Sequence, residues 1–135
     1  MTQKQSSLNK LQGTWNVVAL EVEGRPTPSA GAQIVVEVDR FTSLGMGATY
    51  EGKLAVDASK TPCTIDMKFT AGPEKGNTNR GIFEFQDGKW RLCLQMTGKG
   101  RPKEFATKPG SGLALEILER EIGRASCRER VCQYV

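Results

Sequence analysis

The stretch Gly81-Ile-Phe-Glu-Phe-Gln-Asp-Gly-Lys-Trp-Arg-Leu-Cys-Leu-Gln-Met96 decides the fold class. Its central pair, Asp87-Gly88, is a strong signal for a tight two-residue turn between antiparallel strands. After this turn, alternate residues from Trp90 to Met96 are large and apolar, which puts them on one face of a strand. The stretch therefore predicts a β-hairpin with one buried face.

The same two-residue period recurs outward from this hairpin. In Thr64-Ile-Asp-Met-Lys-Phe-Thr70 the apolar residues again occupy alternate positions. Turn residues separate about eight such segments, and this spacing is typical of a β-sandwich or barrel. Helix propensity favours a helix over Leu113–Arg120, but the context of neighbouring strands favours a final strand there. The pattern predicts an all-β fold, a small antiparallel up-and-down barrel of about eight strands, which closure leaves without exposed sheet edges.

Size and charge narrow the class of protein. A chain of 135 residues is long enough for one domain. The net charge is +4, but Lys and Arg are scattered among Asp and Glu, which favours a mixed solvated surface over a nucleic-acid site. No apolar run is long enough for a membrane-spanning helix, and the first residues lack an apolar signal segment. We therefore expect a soluble cytoplasmic protein with no nucleic-acid or membrane partner.

The sequence contains no histidine. This excludes Ser-His-Asp and Cys-His nucleophile arrangements and any His-ligated metal site. We therefore expect a protein that is not an enzyme and has no metal or cofactor. An enzyme built on Asp66 and Arg101 is the weaker alternative that this absence leaves open.

The end of the chain has a distinct character. Residues 122–131 resemble a translated short-read sequencing adapter, so we expect the native protein to end near Arg120. The sequence then divides into a polar leader over residues 1–10, one domain over 11–120 and a non-native tail over 121–135. Of the four cysteines, Cys63 and Cys93 lie in the domain, and we expect two free thiols; a disulfide would require export.

Seven short motifs follow one another across residues 11–120: Leu11-Gln-Gly-Thr-Trp15, Glu23-Gly-x-Pro26, Pro62-x-x-Ile65-Asp66, Gly81-Ile-Phe83, Leu92-Cys-Leu94, Arg101-Pro-x-x-Phe105 and Leu115-x-x-Leu118-x-Arg120. In these motifs the chain resembles a family of uncharacterised small domains abundant in planctomycete bacteria, commonly described as lipocalin-like. The resemblance implies a lipocalin-like barrel and no established activity.

Gly13-Thr-Trp15 also resembles the Gly-x-Trp signature that opens the first strand of lipocalins. The resemblance implies that Trp15 closes the floor of the barrel and that a basic side chain near the last strand packs over it. Arg120 is the candidate for this cation–π contact. The roles implied for Gly13, Trp15 and Arg120 are structural rather than catalytic.

Four other residues are candidates for ligand binding: Asp66, Cys93, Arg101 and Phe105. Asp66 is either a solvated carboxylate or an inward polar group that orients a ligand or pairs with Arg101. Arg101 and Phe105 share the longest loop, where binding residues concentrate. Either Phe105 plugs the barrel end while Arg101 pairs with a carboxylate, or Arg101 forms an anion-binding lip at the barrel mouth.

Two functions fit a barrel of this kind. The first is a non-enzymatic binding module that holds a small apolar or amphipathic molecule in its lumen. The second is a protein-interaction or structural domain with a side-chain-filled core that acts through its loops. An internal cavity of a few hundred Å3 would favour the first, whereas a filled interior would favour the second.

Overall fold

The computed structural model describes residues 8–121, and within them the chain is almost entirely β-structure. A helical turn over residues 8–11 precedes the strands. The strands are β1 (Gly13–Val22), β2 (Arg25–Pro26), β3 (Gln33–Glu37), β4 (Arg40–Leu44), β5 (Tyr50–Asp57), β6 (Cys63–Ala71), β7 (Thr78–Gln86), β8 (Lys89–Gln95) and β9 (Leu113–Arg120). In this part of the chain, no helix has the length and apolar character needed to cross a bilayer.

The strands form one closed antiparallel barrel. From β3 to β9 each strand pairs with the next, and β1 pairs with both β3 and β9. The barrel therefore has eight strands, and β2 is a two-residue addition beside the end of β1. This confirms the predicted all-β, up-and-down barrel and the strand at Leu113–Arg120. The predicted hairpin is the β7–β8 pair, whose turn residues Asp87 and Gly88 both have positive φ, at 55° and 78°.

β1 pairs with a different strand along each of its two edges. Its first residues, Gly13–Asn16, pair with β3, and Trp15–Val22 pair with β9. The register shifts between Val17 and Ala19, which marks a β-bulge. The bulge keeps Leu20 buried although it lies an odd number of residues from Val17. The end of β1 therefore contributes an apolar side chain to the interior.

Aromatic side chains fill the end of the barrel where β1 begins. Trp15 and Trp90 are almost fully buried, and their ring centroids are 5.3 Å apart in an edge-to-face arrangement. Leu11, from the helical turn, is fully buried, and its carbonyl accepts a 2.8 Å hydrogen bond from Trp15 Nε1. These contacts make a solid floor beneath the lumen.

Arg120 lies over this floor. Its guanidinium carbon is 4.3 Å from the centre of the Trp15 ring, which confirms the predicted cation–π contact. The same guanidinium donates hydrogen bonds to the carbonyls of Gln12 and Lys10. Gly13 has φ of 111°, and a Cβ there would lie 3.0 Å from Arg120 Nη1, so glycine suits both the backbone and the space.

Replacement of Trp15 by alanine is predicted to lower the free energy of unfolding by ~3–5 kcal/mol, because it leaves a large cavity in the floor. Val18→Ala is the control, since Val18 lies on the same strand with 47% of its surface exposed. The control should change stability by less than about 1 kcal/mol. Urea unfolding of both variants tests this, and equal midpoints would contradict the assigned role of Trp15.

Candidate functional site

The barrel is not filled along its whole length. A cavity of about 260 Å3 lies at the end opposite the Trp15 floor. Met46 and Met96, each more than a third exposed, lie at its opening. The lining residues come from six barrel strands and the adjoining loops: Ile34, Phe41, Ser43, Met46, Tyr50, Met67, Phe69, Glu74, Leu94, Met96 and Glu116.

Aromatic rings form one side of the cavity. The Phe69 ring lies 5.4 Å from Phe41 and 5.9 Å from Tyr50, both in edge-to-face contact. Gly52 makes this arrangement possible, because a Cβ at that position would lie 2.7 Å from the Phe41 ring and 2.1 Å from the Lys68 carbonyl oxygen. A larger residue at Gly52 would therefore displace the aromatic wall.

Glu116 is the charged residue that β9 contributes to the cavity wall. It lies opposite Leu20 on β1 and Leu92 on β8, so both of its strand neighbours are apolar. Among the described residues it has no hydrogen-bond or ion-pair partner, and burial raises the pKa of its carboxyl from 4.5 to about 7. An acidic group in such surroundings is costly to ionise unless a ligand compensates the charge.

The other polar groups near the cavity are few. Ser43, Tyr50 and Glu74 also line it, and Glu74 Oε1 accepts a 2.8 Å hydrogen bond from Asn77. Asn79 is on the inward face beside Met67, is 9% exposed, and its Oδ1 has no hydrogen-bond partner among the described residues. Trp90 Nε1, near the floor, also has no hydrogen-bond partner among the described residues. The cavity lining contains two carboxyl groups and, within residues 8–121, no Lys or Arg.

Asp66 and Arg101 lie together on the outer wall of the barrel. Asp66 alternates with the inward residues of β6, so of the two alternatives for this residue the inward polar group is wrong. Arg101 Nη2 lies 2.8 Å from Asp66 Oδ1, which confirms the predicted pairing with a carboxylate. Arg101 Nη1 also donates to the carbonyls of Ile65, at 3.1 Å, and Gly81, at 2.9 Å. With these three acceptors on the outer wall, Arg101 does not form an anion-binding lip at the mouth.

Cys93 and Phe105 are also outside the lumen. Phe105 packs under the guanidinium of Arg91, 4.7 Å from ring centre to carbon, so the expectation that it plugs the barrel end is wrong. Cys93 is buried on the outer face, where its thiol contacts the carbonyl of Ala106 at 3.7 Å and burial raises its pKa. The loop between β8 and β9 therefore folds down over the outer wall and covers Cys93.

Both cysteines of the barrel are free thiols, as predicted. Cys63 shares the inward register of Ile65 on β6, whereas Cys93 is on the outer face of β8. The other two cysteines, Cys127 and Cys132, belong to the predicted tail and lie outside the described residues. So do residues 122–131, which resemble an adapter, and most of the predicted polar leader.

The sequence interpretation missed Glu116, although a signal for it exists. Alternation backward from Leu118, which packs in the core, places Glu116 and Ala114 on the same inward face. The opposite face carries Leu113, Leu115 and Ile117 and is the more apolar of the two, so the pattern of β9 alone does not identify the face of Glu116 as the inner one.

Comparison with known proteins gives no match to any family model, curated protein or solved structure. The resemblance to the planctomycete family therefore remains a prediction. Within residues 8–121, no three metal-binding side chains lie close enough to hold an ion.

Glu116→Gln is predicted to stabilise the protein more at pH 8 than at pH 5. Between pH 4.5 and about 7 the carboxyl is protonated in the folded chain and ionised in the unfolded chain, so wild-type stability falls as pH rises. One pKa unit corresponds to about 1.4 kcal/mol, and the residual exposure of Glu116 reduces the effect. Relative to wild type, the variant should gain about 1–3 kcal/mol between the two pH values.

Urea unfolding at pH 5 and pH 8 measures this gain. Glu51→Gln is the matched control, because it makes the same chemical change at an exposed position on β5. A gain of the same size in the control, or no gain in Glu116→Gln, would contradict the environment assigned to Glu116.

Arg101→Ala is predicted to expose Cys93. Loss of its contacts with Asp66 and two strand carbonyls should let the covering loop open more often. Iodoacetamide labelling, read as modification of the Cys93 peptide by mass spectrometry, should become severalfold faster. Lys103→Ala, an exposed change in the same loop, should leave the rate unchanged. Equal rates in both variants would show that Arg101 does not hold the loop.

Proposed function

We propose that this protein is a non-enzymatic, lipocalin-like binding module that holds one small amphipathic molecule in the upper part of its barrel. The observation that carries the proposal is the cavity of about 260 Å3 at the barrel end opposite Trp15. Its volume is slightly below the range of roughly 300–1,000 Å3 that is common for ligand pockets. A molecule smaller than a typical drug would therefore fit.

The division of the barrel into two halves supports a carrier over a side-chain-filled interaction domain. Trp15, Trp90, Phe83 and Leu118 fill the lower half and are almost completely buried. An eight-stranded barrel has room either to fill itself with side chains or to hold one small ligand. This chain does both, at different heights, so ligand binding does not require the floor to be disturbed.

The rim of the cavity has the character of an entrance. Met46 and Met96 are large apolar side chains, 39% and 38% exposed, beside the opening. Methionine is flexible and polarisable, which suits a surface that must adjust when a ligand enters. Apolar side chains at a mouth would also contact the body of a partly inserted ligand.

We place the protein in the cytoplasm. The support is that Cys63 and Cys93 form no disulfide, since free thiols are the usual state of cysteine in a reducing compartment.

Ser43→Phe is predicted to weaken ligand binding. Ser43 is on the inward face of β4 and lines the cavity, so a phenyl group there would occupy the space of the ligand. Binding is measured by the fluorescence of the neutral probe N-phenyl-1-naphthylamine, whose affinity should fall by about tenfold or more, a loss of about 1.4 kcal/mol.

Thr42→Phe is the matched control for this change. Thr42 is the preceding residue of the same strand and points away from the lumen. It should leave probe affinity unchanged while adding the same apolar surface. Equal affinity in wild type and both variants, or no saturable binding in wild type, would overturn the proposed carrier function.

A further inference from the structure

We propose that the molecule held in this cavity carries a positively charged amino group, which the Glu116 carboxylate binds inside a mainly apolar chamber. The inference rests on the cavity being the binding site proposed above, and it specifies the chemical class of the ligand. That class is a small ammonium cation with an apolar body.

The charges around the cavity are all of one sign. Glu116 and Glu74 line it, and within residues 8–121 no Lys or Arg does, although the whole chain has a net charge of +4. No positive side chain of residues 8–121 therefore lines this chamber. An acidic chamber in a basic protein attracts cations and repels carboxylates and phosphates.

Glu116 is the group that lacks a partner. The residues opposite it on the adjacent strands are Leu20 and Leu92, and the other titratable side chains on the cavity wall are Tyr50 and Glu74. None of these carries a positive charge. A carboxylate in apolar surroundings is stabilised strongly by a cation that pairs with it and donates hydrogen bonds. An ammonium group does both.

The aromatic wall suits the same ligand. Tyr50, Phe69 and Phe41 pack in successive edge-to-face contacts along the cavity. Aromatic faces attract ammonium and alkylammonium groups through their negative potential. Glu74, in the loop that joins β6 and β7, adds a negative charge at the approach to the chamber.

A fatty acid is the main competing ligand for an apolar barrel. Its carboxylate would find hydroxyl donors on Ser43 and Tyr50 but no Lys or Arg among the described lining residues, and Glu116 and Glu74 would repel it. The unpartnered Oδ1 of Asn79, which faces inward beside Met67, is a further hydrogen-bond acceptor rather than a donor. The two carboxyl groups of the cavity lining therefore favour a cationic ligand that donates hydrogen bonds.

Three six-carbon molecules that differ only at the head group test this inference. Hexylammonium, 1-hexanol and hexanoate are titrated calorimetrically into the full chain at pH 8, where Glu116 is mostly ionised because its pKa is about 7. Hexylammonium should bind about tenfold or more tightly than 1-hexanol, and hexanoate should bind most weakly. Lowering the pH to 5.5 should weaken hexylammonium binding by about tenfold, since its own charge does not change there.

Glu116→Gln distinguishes the contribution of the Glu116 charge from the contribution of the cavity shape. The variant should bind hexylammonium at least about tenfold more weakly and 1-hexanol as tightly as wild type does, because the amide keeps the shape of the carboxyl and removes its charge. Glu51→Gln, which removes an exposed carboxylate from β5, should leave the affinity for hexylammonium within about twofold of wild type.

The outcomes distinguish this inference from the carrier function. If 1-hexanol binds, Ser43→Phe abolishes that binding, and hexylammonium binds no more tightly, then the protein is a carrier and the cationic ligand class is overturned. Tighter binding of hexanoate, or hexylammonium binding that Glu116→Gln leaves intact, would also overturn it. If none of the three molecules binds while N-phenyl-1-naphthylamine does, the ligand class fails and the carrier function stands; if the probe does not bind either, both fail.

Discussion

The first and last strands of the barrel pair with each other, and this contact closes the sheet. β1 and β9 share seven residue pairs, from Trp15 with Arg120 to Val22 with Ala114. This pairing removes both sheet edges and fixes which end of the barrel holds Trp15. Arg120 adds a cation–π contact at that end and hydrogen bonds to the chain just before β1. The floor is therefore where the two ends of the sheet are joined.

The distribution of side-chain volume explains why the closed barrel is filled at one end and hollow at the other. Large side chains such as Trp15, Trp90 and Phe83 crowd the floor. Toward the opposite end, Ser43 and Gly52 contribute little volume to the interior, and Gly52 lets the Phe41 ring lie against the wall. A cavity of about 260 Å3 remains because side-chain volume falls along the barrel axis. Stability and binding thus depend on different parts of one interior.

The alternation of apolar residues predicted most of the barrel but only part of its site. On β6 and β8 one face is clearly apolar, so the inward side was readable and Asp66 and Cys93 belonged outside. Local patterns do not reveal that the β8–β9 loop folds over that outer wall. There Arg101 pairs with Asp66, and Phe105 packs against Arg91. On β9 the face opposite Glu116 is the more apolar one, and only pairing with β1 and β8 places Glu116 inside. Contacts distant in sequence decided these positions.

An ionisable group between two leucines reduces stability at neutral pH, and a stable barrel would be easier to build with an apolar residue at Glu116. Burial raises the pKa of this carboxyl to about 7, so at that pH about half of the molecules carry the charge without a partner. A cation that enters the chamber compensates the charge and shifts the remaining carboxyls to their ionised form. The free energy lost by burying Glu116 is then recovered on binding, which links the least favourable residue of the interior to the selection of a ligand.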